Sequence, residues 1–97
     1  MTFEVTSTTH EGAVKLAVKG DIDMSSAEQL RRALDDAPAG DRLVLDLTAV
    51  SYLDSAGVKV LYDHLDRNPE LIIDPDAVIL RILAITGLHD RLNIRHP

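Results

Sequence analysis

The sequence predicts an α/β domain, a mixed four-stranded sheet with helices packed on it, formed by residues 1–97 as one unit. Three observations lead there. Val14, Leu16 and Val18 alternate with Lys15, Ala17 and Lys19, the period of a strand with one buried face. Ala27, Leu30, Leu34 and Ala37 recur at helical spacing. Strand-like and helix-like segments then take turns along the chain, the pattern of a sheet with crossover helices.

In order, Phe3 and Val5 alternate with Glu4 and Thr6 as a first strand, and Thr8-Thr9-His10-Glu11-Gly12 reads as the turn into the second. Gly20-Asp21-Ile22-Asp23-Met24 breaks the alternation. Ser25 and Glu28 stand at capping-box spacing before a helix from about Ser26 to Ala37, which Pro38-Ala39-Gly40 stops. Arg42 to Leu47 is largely apolar on both faces, as expected of a central strand covered on two sides, or nearly so. Thr48 to Leu53 reads as a connection, with Asp46 near the strand end and Tyr52 packing over the sheet. From Asp54 a helix begins, with Val58, Leu61 and Leu65 inward and Lys59, Asp63, His64 and Asp66 on the solvated side. Asn68-Pro69 ends it by about Arg67. Leu71-Ile72-Ile73 is a short strand. Ala77 to Thr86 is helical, with Thr86 and Gly87 closing it, and the tail from Leu88 is amphipathic and then polar.

Composition excludes several classes of function. With 10 Lys and Arg against 16 Asp and Glu, the net charge of −6 repels a phosphate backbone, and 3% aromatic residues leave little to stack on bases. Nucleic acid is therefore not an expected partner. The absence of cysteine removes disulfides and thiolate chemistry, and suits a reducing compartment. No apolar run reaches the roughly 20 residues of a membrane span, and Met1-Thr2-Phe3-Glu4 does not read as a leader, so the chain is expected in the cytoplasm with no direct membrane insertion. His10, His64, His89 and His96 are scattered with no i, i+4 pair, so no metal site is expected, and no cofactor.

Asp54-Ser55-Ala56-Gly57 is the most informative tetrapeptide. It places a serine at a helix entrance, beside unbonded N–H groups and the positive end of the helix dipole, with small neighbours that leave the hydroxyl open. Those N–H groups could hold a phosphate. The bland reading is a helix cap, which Asp-Ser commonly supplies.

Gly20-Asp21-Ile22-Asp23, the helix after it, Leu45-Asp46-Leu47-Thr48, Asp54-Ser55-Ala56-Gly57 and Leu83-Ala84-Ile85-Thr86-Gly87-Leu88 occur in one order over nearly the whole chain. That order resembles the STAS-domain family, specifically bacterial anti-sigma factor antagonists. The resemblance implies a regulatory module that is not an enzyme. It would bind an anti-sigma factor with serine kinase activity and so free a sigma factor. Ser55 is then the phosphoacceptor, Asp54 its motif neighbour, and Asp23 a position near the serine. The implied partner surface comprises Asp21, Asp23, Met24, Asp54, Ser55, Ala56, Gly57, Val58 and Lys59. Phosphoserine carries about −1.5 to −2 charge, which nearby carboxylates would repel from a packed interface. The stretch from Leu65 to Asp76 is shorter than usual in such proteins, so a stunted fourth strand is expected.

Two other readings compete. STAS-like domains also serve as accessory subunits of membrane transporters. A serine hydrolase needs the Gly-x-Ser-x-Gly elbow, which fails because Leu53 stands two residues before Ser55. Finally, Ala77, Leu80, Ala84 and Leu88 form an apolar stripe beside the core-facing Ile79, Ile82 and Leu83. The stripe suggests a homodimer or partner contact through the last helix, centred on Leu80 and Ala84.

Overall fold

A computed structural model describes residues 3–97; Met1 and Thr2, part of the leader reading above, lie outside the described residues. Strands β1 (Glu4–His10), β2 (Ala13–Ile22), β3 (Arg42–Leu53), β4 (Glu70–Ile72) and β5 (Asn93–Arg95) alternate after β2 with helices α1 (Ala27–Asp36), α2 (Ser55–Asp63) and α3 (Val78–Ile85). The sheet has five strands, in the order β1-β2-β3-β4-β5. β1 pairs antiparallel with β2, and every later pair is parallel.

The hairpin turn is tighter than the sequence suggests. His10 and Ala13 are partners, so only Glu11 (φ 47°) and Gly12 (φ 80°) turn the chain. Two successive positive φ values make the turn that matches strand twist, and Gly12 takes its share without strain.

From β2 onward each strand lies one place further along the sheet, and right-handed crossovers repeated in one direction put every helix on the same face. Val14, Leu16, Val18, Leu43, Leu45 and Leu47 accordingly form one core with Leu30 and Leu34 of α1, Val60 and Leu61 of α2, and Ile79 and Leu83 of α3. Of the expectation that this strand is covered on two sides, or nearly so, the weaker form holds. Val44 and Ile72 are buried on the opposite face, with no helix over them. On that face the Glu70 carboxylate bonds Arg42 at 3.0 Å and Arg95 at 2.7 Å, and the stems of such long side chains shield apolar neighbours.

β3 runs to Leu53, so Thr48 to Leu53 is strand and not a connection. Alternation fails there because the register with β2 shifts twice: Ala17 faces Asp46 but Lys19 faces Ala49, and Gly20 faces Val50 but Asp21 faces Tyr52. Each extra residue is a bulge that resets the inward phase, and the buried positions step from Leu47 to Val50 to Leu53. Asp46 braces the first bulge, mid-strand, by accepting from the Thr48 N–H at 3.0 Å and the Thr48 hydroxyl at 2.7 Å. Burial pushes the Asp46 carboxyl up, but the Thr48 bonds and the Lys15 ammonium outweigh it and hold the group below its ordinary range. A carboxylate depressed on folding stabilises above its unfolded pKa, and that contribution is lost as pH falls through the folded value. The melting temperature is therefore expected to fall below about pH 4, and thermal melts of Asp46→Asn should show a shallower acid limb.

The fifth strand escaped the sequence pattern because Ile94 is its one apolar residue. It is fixed by pairing instead: Leu71 faces Ile94, and the Ile73 N–H donates to the Arg95 carbonyl at 3.0 Å. α2 gives out at Asp63, and a single 3₁₀ turn, Leu65–Arg67, follows in place of a continuous helix to Arg67. That break explains His64, which is buried and not on a solvated face. Its Nδ1 lies 2.7 Å from the Val60 carbonyl oxygen and its Nε2 2.8 Å from Asp35 Oδ1, so the ring clamps α2 to α1. Both ring nitrogens are engaged, and neither is offered to Ser55.

Candidate functional site

The candidate site forms where β2 and β3, parallel neighbours, deliver their chain ends side by side. Asp21 faces Tyr52 and Ile22 faces Leu53 in the sheet, and the Asp54 N–H then donates to the Ile22 carbonyl at 3.0 Å. The two turns singled out in the sequence, Asp21 to Met24 and Asp54 to Gly57, are thus tied together at the carboxyl edge of the sheet. That edge is where open α/β sheets place their sites.

Asp54 is the N-cap of α2. Its Oδ1 accepts from the Ala56 N–H at 2.8 Å and the Gly57 N–H at 3.3 Å, and the Val58 N–H closes the first turn onto the Asp54 carbonyl at 2.9 Å. Ser55 is the first helical residue and is exposed, and among the described residues its hydroxyl has no hydrogen-bond partner. Of the N–H groups at this helix entrance, which the sequence reading offered to a phosphate, those of Ala56 and Gly57 are already held by the Asp54 carboxylate. Gly57 is buried, and a methyl group there would lie 2.8 Å from Ile22 Cγ2, 3.0 Å from the Ile22 oxygen and 3.1 Å from Leu53 Cβ. Glycine at this place lets the start of α2 press against the end of β2. Tetrapeptide order thus has a physical content: Asp54 caps, Ser55 is presented, Gly57 permits the close approach.

The Asp21 to Met24 turn is organised differently from the sequence reading. The capping box between Ser25 and Glu28 does not form: α1 begins at Ala27, and its N-cap, Ser26, makes no side-chain cap bond. Instead Asp23 Oδ1 accepts from the Ser25 hydroxyl at 2.7 Å, the Ser25 N–H at 2.9 Å and the Ser26 N–H at 3.2 Å. The Ser25 hydroxyl bond leads the set that holds the Asp23 carboxyl below its ordinary range, so it stays ionised through neutral pH. Ser26 Oγ accepts from the Asp23 N–H at 2.9 Å and donates to the Asp21 carbonyl at 2.8 Å, which locks the turn. Met24 stands out at 83% exposed. On α2, Ala56 and Val58 are half-buried, and Lys59 is exposed with its Nζ 3.1 Å from Asp63.

One feature of the site was missed. Tyr52, Leu53, Ser55 and Val58 border a largely apolar groove of about 280 Å³, whose far wall is Ile82 and Thr86 of α3. Ile82, read as core-facing, is only partly buried, and Ile85 beyond it is 78% exposed. Tyr52, read as packing, is 48% exposed. The signal was there: seven of the eight α3 residues are apolar, too many for one buried stripe. Thr86 does close α3, its hydroxyl donating to the Leu83 carbonyl at 3.1 Å, and Gly87 takes φ 80°. The stripe Ala77, Leu80, Ala84 and Leu88 is not one outer face, because Leu88 is buried and Ala77 and Leu80 pack against the core. Among the described residues no group of three or more His, Asp or Glu could hold a metal ion, and no helix is long and apolar enough to cross a membrane.

The fold is thus a mixed sheet covered by helices on one face, with an exposed serine at a helix entrance on its edge. The family model described as "Mlab, STAS domain" matches residues 5–95, and the chain belongs to the STAS-domain family. It is 39% identical over 59 residues to "Anti-sigma-F factor antagonist RsfB" of Mycobacterium tuberculosis, covering 59% of this chain and 48% of that protein. The chain thus spans about half the length of that relative. It is 32% identical over 90 residues to "Anti-sigma-B factor antagonist" of Listeria monocytogenes, covering 86% of this chain and 79% of that one. Among solved structures, an anti-sigma factor antagonist from Mycobacterium paratuberculosis superposes with a TM-score of 0.80 at 27% identity, over 96% of this chain and 85% of that one. The unphosphorylated anti-sigma factor antagonist SpoIIAA shares the fold, with a TM-score of 0.74 at 18% identity over 99% and 88% of the two chains. The four-stranded expectation is corrected to five, and the α/β class stands.

Proposed function

We propose that this chain is a cytoplasmic anti-sigma factor antagonist that acts by binding, without turnover of its own. It docks on an anti-sigma factor with serine kinase activity, which releases a sigma factor, and phosphorylation of Ser55 ends the contact. The observation that carries this reading is the exposed Ser55 hydroxyl at the start of α2, fixed there by the Asp54 cap and the Gly57 contact. Relatives named as anti-sigma factor antagonists support the partner class. The docking surface comprises Asp21, Asp23, Met24, Asp54, Ser55, Ala56, Val58 and Lys59; Gly57, expected there from the sequence, is buried against Ile22 and Leu53 and serves by seating α2 beneath that surface.

Incubating the chain with its anti-sigma partner and ATP is expected to add one phosphoryl group to the peptide containing Ser55, read by mass spectrometry, and none to Ser55→Ala. Ser55→Ala should stay bound when ATP is added, while Ser55→Asp should bind more weakly. An unmodified Ser55 in a complex that nevertheless forms would remove the switch and leave only the docking. Capture of a transporter ATPase in place of a kinase-like protein would favour the accessory-subunit reading.

A further inference from the structure

We propose that the free edge of β1 pairs with the same edge of a second copy, antiparallel about a two-fold axis through Ser7, to form a continuous ten-stranded sheet. β1 is the first strand of the sheet and seven residues long, Glu4–His10. Edges of this length are normally blunted by lysine, proline or a bulge. Here the run is Glu-Val-Thr-Ser-Thr-Thr-His, rich in β-branched residues, and its register with β2 is unbroken.

The phase of the edge singles out one register. His10 and Ala13 close a two-residue turn, so this pair exchanges both of its backbone hydrogen bonds. Glu4, Thr6, Thr8 and His10 therefore direct their N–H and C=O groups to β2, and Val5, Ser7 and Thr9 direct theirs outward. Pairing Ser7 with Ser7 of the second copy, and Val5 with Thr9, joins outward groups to outward groups along the whole strand. A shift of one residue sets inward-bonded residues against outward ones, and larger shifts leave part of the strand unpaired. The chosen register also sets Glu4 opposite His10 and Thr6 opposite Thr8, so no like charges meet. Glu4 is partnered in the sheet by Lys19, so both signs stand on this face.

The helix-covered face supports the same arrangement. Val5, Ser7 and Thr9 line a groove of about 410 Å³ against Arg32 and Asp36 of α1. A two-fold copy brings a second such groove alongside, and its one cation and one anion per copy complement each other. The occupant that fits the edge in length, hydrogen-bond phase and charge is another molecule of this chain.

Because the chain contains no cysteine, Ser7→Cys introduces a single thiol. Facing residues in a hydrogen-bonded pair have Cα atoms about 5.5 Å apart, within disulfide range. Mild oxidation is expected to give a disulfide-linked dimer of Ser7→Cys far faster than of a Glu28→Cys control on α1. Sedimentation up to about 1 mM is expected to show a monomer–dimer equilibrium. Thr6→Lys with Thr8→Lys, at exposed positions that leave the β1–β2 bonds intact, should weaken it by tenfold or more, and circular dichroism melts check the fold. Ala84→Glu, at an exposed position on α3, should leave it unchanged. A chain that stays monomeric at the highest concentration overturns the proposal. So does equal cross-linking of both thiol variants, association beyond the dimer, or a dimer that Ala84→Glu dissolves and the double lysine variant does not.

Discussion

Gly57→Val is expected to lower the melting temperature by about 10 °C or more and to abolish partner binding at temperatures where the wild-type domain is folded. The first methyl alone falls 2.8 Å from Ile22 Cγ2 and 3.0 Å from the Ile22 carbonyl oxygen, and the latter is backbone that also accepts from Asp54. Overpacking of this kind costs about 1–3 kcal/mol. For alanine, the gain in helix propensity over glycine, about 1 kcal/mol, offsets part of it, so Gly57→Ala should be only mildly destabilising. Valine adds two further methyls and a stiff χ1 without that gain, and the clash wins. At about 4–8 °C per kcal/mol for a domain near 100 residues, a loss of roughly 2–3 kcal/mol gives the expected shift. Gly40→Ala is the control: nothing lies within 4 Å of a methyl group there, and its melt should match wild type. Calorimetry of the three variants decides. A Gly57→Val melt equal to that of Gly40→Ala would mean that α2 does not press on β2.

How much of this was legible beforehand depends on which forces shape each element. β2 and α1 bury one face each, so Val14-Leu16-Val18 and Leu30-Leu34 announce them. β3 was legible only to Leu47, because two bulges reset its phase where the chain turns toward the site. β5 was invisible, since pairing with β4 rather than apolar content makes it a strand. His64 misled because nothing in the helical pattern shows that α2 stops one residue earlier. At the candidate site, the Asp54 cap was visible as a residue type in position, whereas the need for Gly57 arises from Ile22, 35 positions away in the sequence. The bond network of Asp23 and the groove toward Ile82 are likewise tertiary. Local chemistry is written in the sequence; close approach between distant segments is not.

Phosphorylation of Ser55 is expected to weaken the proposed complex by a hundredfold or more, and Asp54→Asn to recover roughly tenfold of that loss. The Ala56 and Gly57 N–H groups are committed to Asp54, so a phosphate on Ser55 meets a fixed carboxylate and not a vacant anion cradle. In the free protein this repulsion is screened: at roughly 6 Å in water, a pair of unit charges costs about 0.7 kcal/mol. Docking excludes water, and at an effective dielectric near 20 the same pair costs about 3 kcal/mol. The difference, about 2 kcal/mol per unit charge, opposes binding alone, and partner side chains that reach the site reduce it. Desolvation of the phosphate dianion adds to it and is untouched by changes at Asp54. Asparagine caps a helix about as well as aspartate, so Asp54→Asn keeps α2 in place while removing the charge. Titration calorimetry on the four proteins, each variant with and without phosphate, isolates the coupling. Unphosphorylated Asp54→Asn should bind within about threefold of wild type, a difference under about 0.7 kcal/mol. An identical phosphorylation penalty in both backgrounds would show that bulk and desolvation at Ser55 eject the partner without help from the neighbouring carboxylate.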